Sequence, residues 1–119
     1  MEANVVAMIC VGYDPDSCLR AIRLAEQFPI IKVSVGIHPN DAHTFNPDVE
    51  KLLYNYAGNQ ALVCAIGETG LDYYRSSCAH DIQQTVFRAH IQMAREFHLP
   101  LVIHTRESQT DVLRILKEE

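Results

Sequence analysis

Glu68 and His104 are the two residues of this 119-residue chain best placed to do chemistry. Each follows a short apolar run: Ala61-Leu62-Val63-Cys64-Ala65-Ile66-Gly67 leads to Glu68, and Leu101-Val102-Ile103 leads to His104. A carboxylate and an imidazole at the mouths of successive buried strands suit a divalent metal ion, and in parallel barrels that end of the strands carries the chemistry. Both are therefore candidate metal ligands and catalytic residues.

Their neighbours extend the reading. Glu68 could be a solvated loop carboxylate, or it could bridge two cations. Gly67 and Gly70 beside it permit the tight turns that a backbone close to a ligand needs. His104 is followed by Thr105-Arg106, which puts a guanidinium within reach of a phosphate oxygen. His38 also follows a strand-like run, although Pro39 behind it suits a structural loop equally well. Asp72, Tyr73, Tyr74 and Arg75 come after Glu68 in what reads as one loop. The tyrosines are packing residues or a stacking surface for a nucleobase, and Arg75 contacts phosphate or keeps the loop solvated. His38, Asp72, Tyr73, Arg75 and Arg106 are thus the substrate-binding candidates. His43, His80, His90 and His98 occupy loop or helix positions without an evident partner and read as structural or surface residues.

The elements that must hold these residues alternate along the chain. Residues 5–11 form a continuous β-branched run, as expected of a strand buried on both faces. Asp14-Pro15 then supplies a cap and a first-turn proline for a helix with Ala21, Leu24, Ala25 and Phe28 at helical spacing. A second strand over residues 31–35 leads through a loop to a helix capped by Asn46, with Pro47 behind it. A third strand over 61–67 opens into a loop from Glu68 to about residue 79, and the next helix carries Ile82, Val86, Ala89, Met93 and Phe97 on one stripe. The fourth strand, 101–104, precedes a helix that Ser108 could cap, with Val112, Leu113, Ile115 and Leu116 facing inward.

Four successive strand–helix units imply parallel strands joined by right-handed crossovers. Eight such units close a barrel in about 250 residues. The predicted fold is therefore α/β, half of a (β/α)8 TIM-type barrel with four parallel strands and alternating helices. No proline-rich or serine-rich linker divides the chain, so residues 1–119 read as one partial-barrel domain.

Composition narrows the function classes. With 48% hydrophobic and 21% charged residues, the chain has the make-up of a folded domain and not of a disordered segment. The net charge of -5 excludes a broad basic surface for gripping nucleic acid, so a phosphate substrate must be drawn by metal and a few local arginines. No apolar run approaches the roughly 18 residues that span a bilayer, and the N-terminus lacks the basic start of a signal peptide. No membrane partner is expected, and the expected location is the cytoplasm, or the nucleus in a eukaryote. Cys10, Cys18, Cys64 and Cys78 show no Cys-x-x-Cys spacing and read as reduced thiols, at least two of them core filler, with Cys10 and Cys64 inside the apolar strand runs.

Three motifs together resemble, in order and spacing, the TatD-type deoxyribonuclease family of metal-dependent hydrolases. They are Gly36-Ile37-His38-Pro39, Ile66-Gly67-Glu68-Thr69-Gly70-Leu71-Asp72-Tyr73-Tyr74 and Pro100-Leu101-Val102-Ile103-His104-Thr105-Arg106, and the match runs from about Val5 to the last residue. Gln84, Phe87, Ala94 and Arg95 in the linking helix fit the same family. The resemblance implies a (β/α)8 barrel with two divalent ions, Mg2+, Mn2+ or Zn2+, at the strand C-termini. It implies hydrolysis of phosphodiester bonds in DNA, in the manner of a 3'-5' exonuclease. Glu68 would then match the family's metal-bridging glutamate and His104 a metal-binding histidine.

Family members also carry a His-x-His pair on the first strand and a later histidine and aspartate. None of those four positions occurs here, so the chain is expected to cover the second to fifth strand–helix units, and to be inactive alone. The rival expectation is a non-catalytic half-barrel that associates with itself or another chain through open sheet edges. An unrelated α/β binding module is disfavoured, because no Gly-rich phosphate-binding fingerprint follows the first strand.

Overall fold

The computed structural model describes residues 4–75 and 77–119. Four strands, β1 (Met8–Val11), β2 (Ile31–Val35), β3 (Val63–Asp72) and β4 (Leu101–Arg106), alternate with helices α1 (Pro15–Gln27), α2 (Pro47–Gly58), α3 (His80–Phe97) and α4 (Gln109–Glu118). A short 3-10 segment, Pro39–Thr44, follows β2. The strands pair in chain order and all in parallel, giving a curled half-barrel with helices between its strands.

Local chemistry sets the helix starts. Asp14 Oδ1 accepts the Ser17 N–H at 2.7 Å while Ser17 Oγ accepts the Asp14 N–H at 3.0 Å, a reciprocal cap with Pro15 behind it. Asn46 Oδ1 accepts the Val49 N–H at 2.9 Å and starts α2 in the same way. Val33, Val35, Ile37, Leu53, Ile66, Phe87, Met93 and Ile115 are fully buried between sheet and helices. Among the described residues, no helix is long and apolar enough to cross a membrane.

β3 departs most from its expected course. It does not stop at Gly67 but runs on to Asp72, so Glu68 stands inside a strand and not in a loop. Gly67 and Gly70 make this continuation possible, with φ of +144° and +136°. A Cβ at Gly67 would lie 2.3 Å from Val102 O, and one at Gly70 2.0 Å from His104 O, so only glycine fits this close approach to β4. The β3–β4 register slips between Gly67, paired with Val102, and Thr69, paired with Ile103, leaving Glu68 as the extra residue of a bulge. Bulges re-aim a side chain, here the glutamate. β4 is longer too, ending at Arg106 and not at His104.

Other differences have simple causes. β1 is shorter than expected, starting at Met8 and leaving Val6 outside it, and at the edge of the open sheet it is not buried on both faces: Ile9 is 57% exposed, Met8 and Val11 39% each. The buried thiols are Cys18 and Cys78, whereas Cys10 and Cys64 are half-buried, and none of the four is bridged. Burial pushes the Cys18 thiol up to about 11, which leaves it protonated and unreactive at neutral pH. The buried face of α3 is rotated from the expected stripe. Gln83, Val86, Phe87, His90, Ile91, Met93 and Ala94 are inside, while Ile82 is exposed. Leu113 on α4 also faces outward, and Ser108 Oγ donates to Leu71 O at 2.9 Å instead of capping α4.

Candidate metal centre

His38 just beyond β2, Glu68 in the β3 bulge and His104 on β4 converge at the strand C-termini. One potential ligand atom from each lies within 4.8 Å of the others, and no other such trio of His, Cys, Asp or Glu occurs among the described residues.

Hydrogen bonds determine what each side chain offers. His104 Nε2 lies 2.9 Å from Asp72 Oδ2. An ionised carboxylate only accepts, so the neutral imidazole carries its proton on Nε2 and turns the Nδ1 lone pair toward Glu68 Oε2, 3.6 Å away. Two acceptors facing one another repel unless a cation or a proton lies between them. His38 is set the opposite way. Its Nδ1 accepts the Asn40 N–H at 3.1 Å, so the neutral ring carries its proton on Nε2, 3.8 Å from Glu68 Oε1. That separation exceeds a hydrogen bond, and it presents a donor to the centre where a metal needs a lone pair. Burial lowers the His38 pKa and nearby His104 adds to the effect, with Glu68, Asp41 and Asp72 opposing it. The two rings meet edge to face with centroids 4.4 Å apart. The donor chemistry therefore fits a divalent ion on Glu68 and His104, with His38 as a hydrogen-bond donor beside it.

Asp72 corrects the expected loop position. It ends β3, is 1% exposed, and has both oxygens engaged: Oδ2 with His104, Oδ1 with the N–H groups of Tyr74 and Arg75, each at 3.1 Å. Burial pushes its carboxyl up, but the Arg75 amide, the His104 ring and the Tyr74 amide outweigh it, and the net pKa is lowered. Such a carboxylate fixes the tautomer and orientation of a ligand histidine and is closed to substrate.

Tyr73 is also placed differently from expectation. Its hydroxyl donates to Asp111 Oδ2 at 2.7 Å and accepts from Gln84 Nε2 at 2.8 Å, and its ring stacks on His80 at 3.8 Å, so it faces the α3–α4 layer. His80 thus has a partner that its isolated position in sequence concealed. Arg75 is exposed. Arg106 is exposed as well, and its guanidinium lies 3.9 Å from the centre of the Tyr74 ring.

Two supporting residues have no counterpart in the sequence reading of the site. Gln83 Oε1 accepts the Asp72 N–H at 2.8 Å, and its Nε2 donates to Asp72 O and Cys78 O, which pins the end of β3. His90, fully buried, accepts the Ile37 N–H on Nε2 at 3.0 Å and donates from Nδ1 to Val86 O at 2.8 Å. It fixes the backbone next to His38. Their seven-residue spacing, which puts both on one face of α3 beside Val86 and Phe87, was the available signal.

Fold and site together define a parallel half-barrel with a candidate metal centre at its strand mouths. The chain belongs to the TatD related DNase family, whose sequence profile matches residues 1–119. It is 37% identical to the Bacillus subtilis protein named uncharacterized metal-dependent hydrolase YabD, over 98% of this chain and 45% of that one. It is 32% identical to the Salmonella typhimurium protein named 3'-5' ssDNA/RNA exonuclease TatD, over 96% of this chain and 44% of that one. Among solved structures, the Escherichia coli TatD homolog YJJV superposes with a TM-score of 0.89 at 23% identity, covering 98% of this chain and 46% of its own. A TatD family hydrolase from Entamoeba histolytica gives 0.84 at 24% identity, covering 95% and 40%. The chain spans less than half the length of these relatives.

Proposed function

We propose that these residues form part of a metal-dependent phosphodiesterase acting on nucleic acid strands, with Glu68 and His104 as metal ligands. The observation that carries this reading is the approach of His104 Nδ1 to Glu68 Oε2 at 3.6 Å, a gap that a divalent cation would fill when the imidazole is neutral. The names of the YabD and TatD relatives support the reaction and the substrate class. Bound Mg2+, Mn2+ or Zn2+ supplies charge neutralisation at the phosphate and a lowered pKa for water.

Around that site the side chains have separate tasks. Asp72 holds the His104 ring with Nδ1 inward, and Gln83 holds the Asp72 backbone. Glu68 turns Oε2 toward His104, where it would hold a cation with the Nδ1 lone pair, and Oε1 toward the Nε2–H of His38. His38 Nε2–H donates to a phosphate oxygen, and Arg106 pairs with phosphate charge.

A catalytic zinc usually takes about three protein ligands and water, and Glu68 and His104 are two. We therefore infer that the 119 residues alone, one partial-barrel domain, do not turn over. The test replaces the matching segment of the Salmonella TatD relative with this chain. The chimera should release nucleotides from a labelled single-stranded oligonucleotide when divalent metal is present, and the chain alone should not. Cleavage that survives both chelation and Glu68→Ala would contradict the reading.

A second reading concerns β1, an edge strand paired only with β2, in which Ile9 is 57% exposed. Such an edge pairs with another strand, so the chain by itself self-associates. Sedimentation showing a stable monomer at concentrations on the order of tens of micromolar would refute this.

A further inference from the structure

We propose that Tyr74 and Arg106 form a two-part contact for one nucleotide of a single strand at the rim of the strand mouth, Arg106 taking the phosphate and the exposed face of Tyr74 the base. The proposal deepens the nuclease reading and rests on it for the class of ligand.

Arg106 lies two residues beyond His104 on β4, so both side chains leave the same face of the sheet, about 7 Å apart along the strand. Its guanidinium lies over the Tyr74 ring, 3.9 Å from the ring centre, a contact that reduces the rotamer freedom a long side chain must lose on binding. Tyr74 is 57% exposed despite its size, and its backbone is nevertheless anchored. Its N–H donates to Asp72 Oδ1, while the other oxygen of the same carboxylate holds His104. The Tyr73 N–H donates to Arg106 O at 3.0 Å, tying the two strand ends together. One buried carboxylate thus links the position of the rim to that of the metal centre.

An exposed aromatic ring with a guanidinium against its other face suits an unpaired nucleotide, because the ring accepts the face of any base and the guanidinium pairs with phosphate. A duplex keeps its base faces stacked, so the ligand is single-stranded. With a net charge of -5 the chain has no long cationic track, so the contact covers one or two phosphates.

The test titrates the metal-free chain, in chelator, with a four-nucleotide thymidine oligomer and with its abasic counterpart, followed by NMR at several salt concentrations. Tyr74→Leu should weaken thymidine binding roughly tenfold and abasic binding little. Arg106→Gln should weaken both and reduce the slope of log affinity against log salt by about 0.7. Unchanged thymidine affinity in Tyr74→Leu, an unchanged salt slope in Arg106→Gln, or no binding at millimolar oligomer would overturn the proposal. A chain that binds the oligomer in this way but ignores Mn2+ would sink the nuclease reading and leave the rim contact standing. Mn2+ binding without oligomer binding would do the reverse.

Discussion

Glu68→Gln is expected to lower the affinity of the chain for Mn2+ by more than about a hundredfold in calorimetric titration, while Tyr74→Phe leaves it unchanged. The substitution preserves the size and planarity of the side chain, so the bulge that carries it survives. What it removes is the charge that faces His104 Nδ1 at 3.6 Å and His38 Nε2 at 3.8 Å. Loss of a partner that merely orients a ligand typically costs about ten- to a hundredfold in metal affinity, and loss of the ligand charge itself costs more. The same order should hold for cleavage by the chimera, with Glu68→Ala losing more activity than Tyr74→Phe. Equal affinities, or equal rates, for the two variants would count against the assigned roles.

Acidification is expected to destabilise the chain between pH 6.5 and about 4, by roughly 3 kcal/mol through His90, with His38, whose pKa is also lowered, adding in the same direction. Burial lowers the His90 pKa from 6.5 to about 4, and the hydrogen bond to the Val86 carbonyl offsets this only in part. Above 6.5 both folded and unfolded chains carry a neutral imidazole there, and the stability is fully present. Below 6.5 the unfolded chain takes up a proton that the folded chain refuses, and stability falls until the pH reaches about 4. Asp72, whose pKa is lowered in the fold, keeps its contribution above the ordinary carboxylate value and loses it only in stronger acid. Urea unfolding across this range is the measurement. A wild-type slope no steeper than that of His90→Leu would contradict the assignment.

Much of the fold was legible because its signals are local. Asp14-Pro15 and Asn46-Pro47 announce α1 and α2 through side chains that reach backbone donors three residues on. The strand–helix alternation then leaves little choice but a parallel sheet in chain order. β3 was misread because Gly67 and Gly70 look like stop signals, yet in the fold they let the chain continue against Val102 and His104. Pairing with a distant strand decides that, and no local pattern contains it. The α3 stripe was misjudged for a related reason. Gln83 and His90 count as polar surface in a helical pattern, but their partners are backbone groups of Asp72 and Ile37. In the site, the ends of apolar runs drew attention to Glu68, His104 and His38, which the structure brings together although Glu68 and His104 lie inside strands that continue past them. The division of labour between Tyr73 and Tyr74 was not readable, because it depends on which residue of the Asp72 turn faces α3.

Substoichiometric Mn2+ added to the 15N-labelled chain tests most directly whether Glu68 and His104 share one cation. The predicted result is selective paramagnetic broadening of the amides around His38, Glu68 and His104, lost in Glu68→Gln. Broadening centred instead on an ordinary acidic surface, such as Asp48 and Glu50 in the first turn of α2, with none at Glu68, would contradict it.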